Sequence, residues 1–150
     1  MRLSSLADYA VVTMCAAARH CGAGRVSASE LARETGLPQP TVGKLVSLLV
    51  RAGLLRSARG AGGGLQLARP AAAITLADIV EAVEGPIVLT ACLQGTRQDC
   101  ALEASCSVRP HWGVVNDALR GALADVPLTR LAAPALKGPP AALVTPKAIA

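Results

Sequence analysis

Large aromatic side chains are almost missing from this chain: 150 residues include no Phe, one Tyr and one Trp. A core must therefore be built from Leu, Val and Ile, and a single copy of such a small chain gains little from burial. A second copy packed along a long helix would add to it, so a homodimer is expected. No apolar run approaches the eighteen or so residues of a membrane span. The run Ala10–Ala18 resembles a secretion leader only faintly, since Asp8 and Tyr9 precede it and folded-looking sequence follows. The five cysteines are an odd number and none forms a CxxC pair, so a complete set of internal disulfides is excluded. These features fit a cytoplasmic protein with reduced thiols. A nucleophile–base–orienter set is also missing: neither His20 nor His111 has a carboxylate partner nearby in the sequence. An enzyme is not expected.

Acidic residues are scarce at the front. Residues 1–60 carry 8 basic and 3 acidic side chains, a balance of 8 − 3 = +5, whereas residues 61–132 carry 5 and 7, or −2. A basic first half suits contact with a polyanion.

The pattern of elements is mainly α. Ser4 or Ser5 caps a first helix of about fifteen residues with Leu6, Ala10, Met14 and Ala17 on one face. Ser27-Ala-Ser-Glu30 is a capping box that opens a second helix over Ala28–Thr35, with Leu31 and Ala32 inward. Gly36 permits a sharp turn. Pro40 suits the first turn of a third helix, whose buried stripe is Val42, Leu45, Leu49 and Ala52. Thr41, Lys44, Ser47 and Arg51 fall on its other side. Two short extended runs, Leu54–Ala58 and Leu65–Ala68, flank the glycine-rich stretch Arg59–Gly64. Thr75 caps a helix over Leu76–Val83, and Gly85-Pro86 breaks the chain. A long helix is expected from Val108 to Leu123, with Val115, Leu119 and Leu123 in its seam and one more turn at Pro127–Leu131. The Ala/Pro-rich tail from Ala132 reads as disordered.

This is the layout of a winged helix-turn-helix domain over residues 1–84, a cysteine-bearing loop over 85–107, a dimerisation helix over 108–131 and a tail over 132–150. The third helix is slim enough for the major groove of double-stranded promoter DNA. Gln39, Thr41, Lys44 and Ser47, with Arg51 on the same stripe, can reach base edges or phosphates. The wing offers Arg56 and Arg59 beside the bare backbone of Gly60 and Gly62.

Cys92, Cys100 and Cys106 lie in the loop with the spacing C-x7-C-x5-C. Structural zinc usually takes close cysteine pairs, whereas irregular spacing suits an iron–sulfur cluster. A cluster, zinc and bare thiols all stay open on spacing alone. Cys15, within an apolar helix, reads as a small core residue, and Cys21 as partly exposed. His111 is a candidate fourth ligand, although Pro110 beside it suggests a helix start that turns the ring away.

The segments MRLSSLADYAV, LARETGLPQPTVGKLVSLLVRAGLL and RGAGGGLQLARP, with the cysteine trio, resemble the IscR/NsrR group of the Rrf2 superfamily of bacterial regulators over roughly residues 1–131. TACLQG and CSVRPHW are most similar to regulators of the SUF iron–sulfur assembly operon. The resemblance implies a homodimer on a pseudo-palindromic promoter site, with a 2Fe–2S or 4Fe–4S cluster held by Cys92, Cys100 and Cys106. Some relatives complete the ligand set with a histidine where this chain has Arg109, which cannot ligate. Others use a carboxylate from the partner's first helix, and Asp8 stands at the matching place. The alternatives are a metal-free thiol switch on DNA and a winged-helix interaction protein with structural zinc.

Overall fold

The structure, a computed structural model, describes residues 2–93 and 105–134. Among these described residues, six helices and one hairpin follow in the order α1 (Ser5–Arg19), α2 (Ala28–Thr35), α3 (Gln39–Arg51), β1 (Leu55–Ala58), β2 (Gly64–Leu67), α4 (Leu76–Glu84), α5 (Arg109–Ala124) and α6 (Leu128–Ala132). Short 3-10 turns occur at Ala71–Ala73 and Ala91–Leu93.

Local chemistry sets most helix starts. The Ser4 hydroxyl accepts from the Ala7 N–H at 3.1 Å, taking up one of the donors that a helix leaves unpaired at its start. Ser27 and Glu30 form a reciprocal capping box on α2, and Thr75 and Asp78 form a second on α4. The bonds that Glu30 accepts from Ser27 hold its carboxyl below the usual range. Gly36 closes α2 with φ of 72°, a left-handed conformation that glycine adopts without a Cβ clash. It lets α3 start two residues after the next one.

The core is aliphatic. Met14 of α1, Leu31 of α2, Val42, Leu45 and Leu49 of α3, Leu55, Leu65 and Leu67 of the hairpin, and Ile74 and Ile79 around the start of α4 form one cluster. Ala52 is exposed and not part of the α3 stripe, because it caps the helix beyond its last full turn. β1 and β2 are antiparallel with Leu55 opposite Leu67, Arg56 opposite Gln66 and Ser57 opposite Leu65. Alternation sends the leucines inward and Arg56 outward.

Two features lie beyond the sequence reading. Leu128 of α6 is fully buried in the same cluster, and its N–H bonds the Ile74 carbonyl at 2.7 Å. The Leu76 N–H bonds the Val126 carbonyl at 2.9 Å, so the end of the helical region is stitched to the start of α4. Ala132, where the tail was expected to begin, is the last residue of α6; residues 135–150 lie outside the described residues. By contrast, α5 buries none of its sixteen residues within one chain. Val114 is 74% and Val115 47% exposed.

Replacing Leu128 by Ala should cost about 2–4 kcal/mol of stability by denaturant unfolding, the usual cost of deleting a buried leucine. An unchanged midpoint would mean that α6 is only an ornament on the core.

Candidate nucleic-acid interface and metal centre

α2, the Gly36 turn and α3 form a helix-turn-helix whose second helix keeps one side free. Gln39 opens α3, is exposed, and donates from Nε2 to Ser29 Oγ of α2 at 2.8 Å. Lys44, Ser47 and Arg51 are exposed along α3, and Thr41 is half-buried beside them. Ser47 donates to the Gly43 carbonyl of its own helix at 3.0 Å, leaving its oxygen lone pairs outward. A Cβ on Gly43 would meet nothing within 4 Å, so close packing inside the chain does not explain that glycine.

The wing lies beside this helix. Arg56 is exposed on β1, and Arg59, Gly60 and Gly62 are exposed in the turn between the strands. The turn is tight: the Gly63 N–H bonds the Gly60 carbonyl at 2.8 Å, and a Cβ on Gly63 would stand 2.5 Å from the Ala58 carbonyl oxygen. Among the described residues, no ion pair engages Lys44, Arg51, Arg56 or Arg59. Four unpaired cations on one helix and its neighbouring hairpin suit a polyanion.

One neighbouring contact was illegible in the sequence. His20, at the end of α1, meets Glu34 Oε2 at 2.8 Å, and Arg19 meets Glu34 Oε1 at 2.7 Å. The bonds from His20 and then Arg19 pull the Glu34 carboxyl below its ordinary range. The pairing ties α1 to α2 at the surface. Cys21 next to it is exposed, whereas Cys15 is half-buried against the core and burial pushes its thiol up.

The strap that leads to Cys92 is held by α5. Asn116 accepts from the Leu89 N–H and donates to the Ile87 carbonyl, both at 3.0 Å, and so fastens the strap that leaves α4. Arg120 forks onto both Glu81 oxygens at 2.9 and 3.0 Å, which holds that carboxyl below the usual range. Asn116 and Arg120 are four residues apart, hence on one helix face. That spacing is the sequence signal for the clamp, but nothing nearby in the chain names its partners.

The strap ends in the 3-10 turn Ala91–Leu93, which packs on α5 and carries Cys92. Cys92 Sγ lies 3.2 Å from Thr90 Oγ1. Cys106 stands three residues before α5 begins at Arg109. Both thiols are half-buried. Cys100 lies outside the described residues. Asp8, in the first turn of α1, and His111, in the first turn of α5, are both exposed. Among the described residues, no three His, Cys, Asp or Glu side chains gather closely enough to hold a metal ion. Within one chain, then, neither Asp8 nor His111 joins Cys92 and Cys106 in such a group. The donors are soft sulfurs at both ends of one stretch of chain, a chemistry that fits a thiolate-bound centre.

A family model described as "Rrf2: Iron-dependent Transcriptional regulator" matches residues 3–134. The chain belongs to the Rrf2 family. It is a transcriptional regulator, of a DNA-binding class that is not enzymatic. It is 33% identical over 131 residues to the HTH-type transcriptional regulator IscR of Photorhabdus laumondii, covering 87% of this chain and 79% of that one. Among solved structures it is similar to CymR, the global cysteine regulator of B. subtilis, with TM-score 0.68 and 31% identity over 88% of this chain and 96% of that one. It is also similar to T. potens IscR, with TM-score 0.66 and 28% identity over 87% and 85% of the two chains. These neighbours share the mainly helical winged architecture with its two-stranded wing. In this Rrf2 chain no helix among the described residues is long and apolar enough to cross a membrane.

Asn116→Ala removes both bonds to the strap and should cost about 1–2 kcal/mol. Amide exchange at Leu89 is the direct readout. Protection equal to wild type there would show that packing alone holds the strap on α5.

Proposed function

We propose that this Rrf2 regulator is a cytoplasmic homodimer whose hold on double-stranded promoter DNA depends on an iron–sulfur cluster. We propose further that it controls SUF cluster-assembly genes in response to cluster supply or oxidative stress. The observation that carries the cluster is the seating of Cys92 and Cys106 at the two ends of one stretch, each beside α5, with Cys100 between them in sequence. Cys92, Cys100 and Cys106 are the thiolate ligands in this reading, and Asp8 of the partner subunit is the fourth, ahead of His111. A bound cluster supplies redox and iron sensitivity, with 2Fe–2S and 4Fe–4S forms both compatible with three thiolates and one further ligand.

The rest of the mechanism belongs to the protein. No α5 residue is fully buried within one chain, and Val114 and Val115 stand exposed, which supports a role as the dimer seam, with residues 108–131 as the dimerisation segment. A carboxylate reaching from α1 of one subunit to the thiols of the other links the thiol loop to a helix on which the helix-turn-helix packs. Gain or loss of that link changes the spacing of the two reading helices. DNA is held by Gln39, Thr41, Lys44, Ser47 and Arg51 of α3 and by Arg56, Arg59, Gly60 and Gly62 of the wing, all of residues 1–84.

A second reading, a metal-free thiol switch, draws on the likeness to the CymR structure and on the exposed Cys21 thiol. The zinc-bearing interaction module gains nothing from membership of a regulator family.

Anaerobic purification separates these. The cluster reading expects a brown protein with iron and acid-labile sulfide; a colourless metal-free protein with thiol-dependent DNA binding favours the switch, and stoichiometric zinc contradicts both. Asp8→Ala should lower cluster retention, and full iron content with intact regulation would remove Asp8 from the ligand set. Lys44→Ala and Arg59→Ala are each expected to weaken promoter binding about tenfold and to flatten its salt dependence. Unchanged binding in both would show that the reading face lies elsewhere.

A further inference from the structure

The loop between α1 and α2 carries an arginine that lies apart from the helix and wing residues discussed so far. Arg25 precedes Val26, whose N–H and carbonyl both pair with Leu65 of β2, at 3.0 and 2.7 Å. Val26 thus acts as a one-residue third strand on the wing. The approach is close. A Cβ on Gly64, whose φ is 138°, would stand 2.9 Å from Arg25 Cβ and 3.2 Å from the Val26 carbonyl oxygen. From this position Arg25 Nη1 donates to the Gly62 carbonyl at 3.1 Å, across 37 residues of sequence.

That bond uses one of the five N–H donors of the guanidinium. Arg25 also lines a surface cavity of about 240 Å³ with Arg56, Gln66 and the Ser57–Ala58 stretch of β1. Arg56 and Gln66 are directly cross-strand partners. Arg25, Arg56 and Gln66 therefore line one cavity that no carboxylate lines, and among the described residues neither arginine has an ion pair. Two like charges brought to one cavity favour an anion between them, and arginine forks match phosphate oxygens. The same loop runs into α2, where Ser29 is bonded to Gln39 at the start of α3. Arg25 to Ser29 thus touches both the wing and the first residue of the reading helix.

We propose that Arg25, Arg56 and Gln66 form a phosphate seat that takes a backbone phosphodiester of the bound DNA, and that Arg25 at the same time sets the wing through Gly62. The proposal rests on the DNA reading given above. It adds a contact from the α1–α2 loop, which would fix the register of the wing against α3 without reading a base.

The test uses the full chain and a duplex that the wild type selects from a random pool. Arg25→Ala should weaken binding about tenfold and lower the slope of log affinity against log salt by about one per protomer. Arg25→Lys, which keeps the charge, should restore most of the slope. Thermal unfolding checks that each variant is folded. Weaker binding with an unchanged slope would reduce Arg25 to a prop for the wing and overturn the seat. So would wild-type affinity and slope in both variants while Lys44→Ala still weakens binding. Titration with inorganic phosphate is the third arm: if wild type binds it, Arg25→Ala does not, and DNA affinity is equal in both, the cavity serves a free anion and the DNA assignment is wrong. If the wild type selects no duplex, the DNA reading itself fails and takes the seat with it.

Discussion

Helix α1 is the common wall of the fold. α2, α3, α4, α6 and β2 all pack against it, and its inward residues are Ala7, Ala10, Met14, Ala16 and Ala17. Alanines let neighbouring helices come close, and a single methionine fills the irregular space between them. With no Phe in the chain, this close approach replaces bulk. Most other positions follow from it: the reading helix lies on α2 and α1, the hairpin on α3 and α1, and α4 with α6 on the remaining flank, whereas α5 packs on α4. Thr13, the one buried polar side chain among the described residues, bonds the Tyr9 carbonyl at 2.8 Å and so costs the wall nothing.

Two stitched regions diverge from that wall. On one flank, the α1–α2 loop meets the wing through Val26, and His20 with Arg19 meets Glu34. On the other, Ser4 N–H reaches Glu84 Oε1 at 3.1 Å, Arg120 reaches Glu81, and Asn116 holds the strap to Cys92. The first group stiffens the surface proposed to face DNA. The second fixes the strap that carries Cys92 to α5. Both reach α1, one near each of its ends. The ion pairs of Glu34 and Glu81 are exposed and individually worth little; their value lies in orientation rather than stability.

What was legible in the chain was its local chemistry. Ser27 with Glu30, Thr75, Gly36 and Pro40 marked the helix boundaries because caps and turns act over three or four residues. The inward stripes of α1, α2 and α3 followed from helical period, and only Ala52 fell outside, where the period runs past the last turn. The cationic outer face of α3 followed from the same spacing, and the wing from the glycine-rich stretch between two short extended runs. The apolar spacing of α5 was legible too, but not that Leu119 and Leu123 would be half-buried while Val115 stayed exposed within one chain.

Contacts between distant segments were a different matter. Nothing in the order of residues placed Leu128 in the first core, set Asn116 on Ile87 and Leu89, paired His20 with Glu34, or brought Arg25 to Gly62 and the cavity it shares with Arg56. Propensity and capping are properties of a few neighbouring residues, so they survive in the linear order. Which side chains meet across dozens of residues depends on how the helices cross and on how near alanine and glycine let backbones come. Composition and spacing thus established the elements, their faces and the thiol trio. Tertiary packing, much of it around α1, decided which of those faces became neighbours.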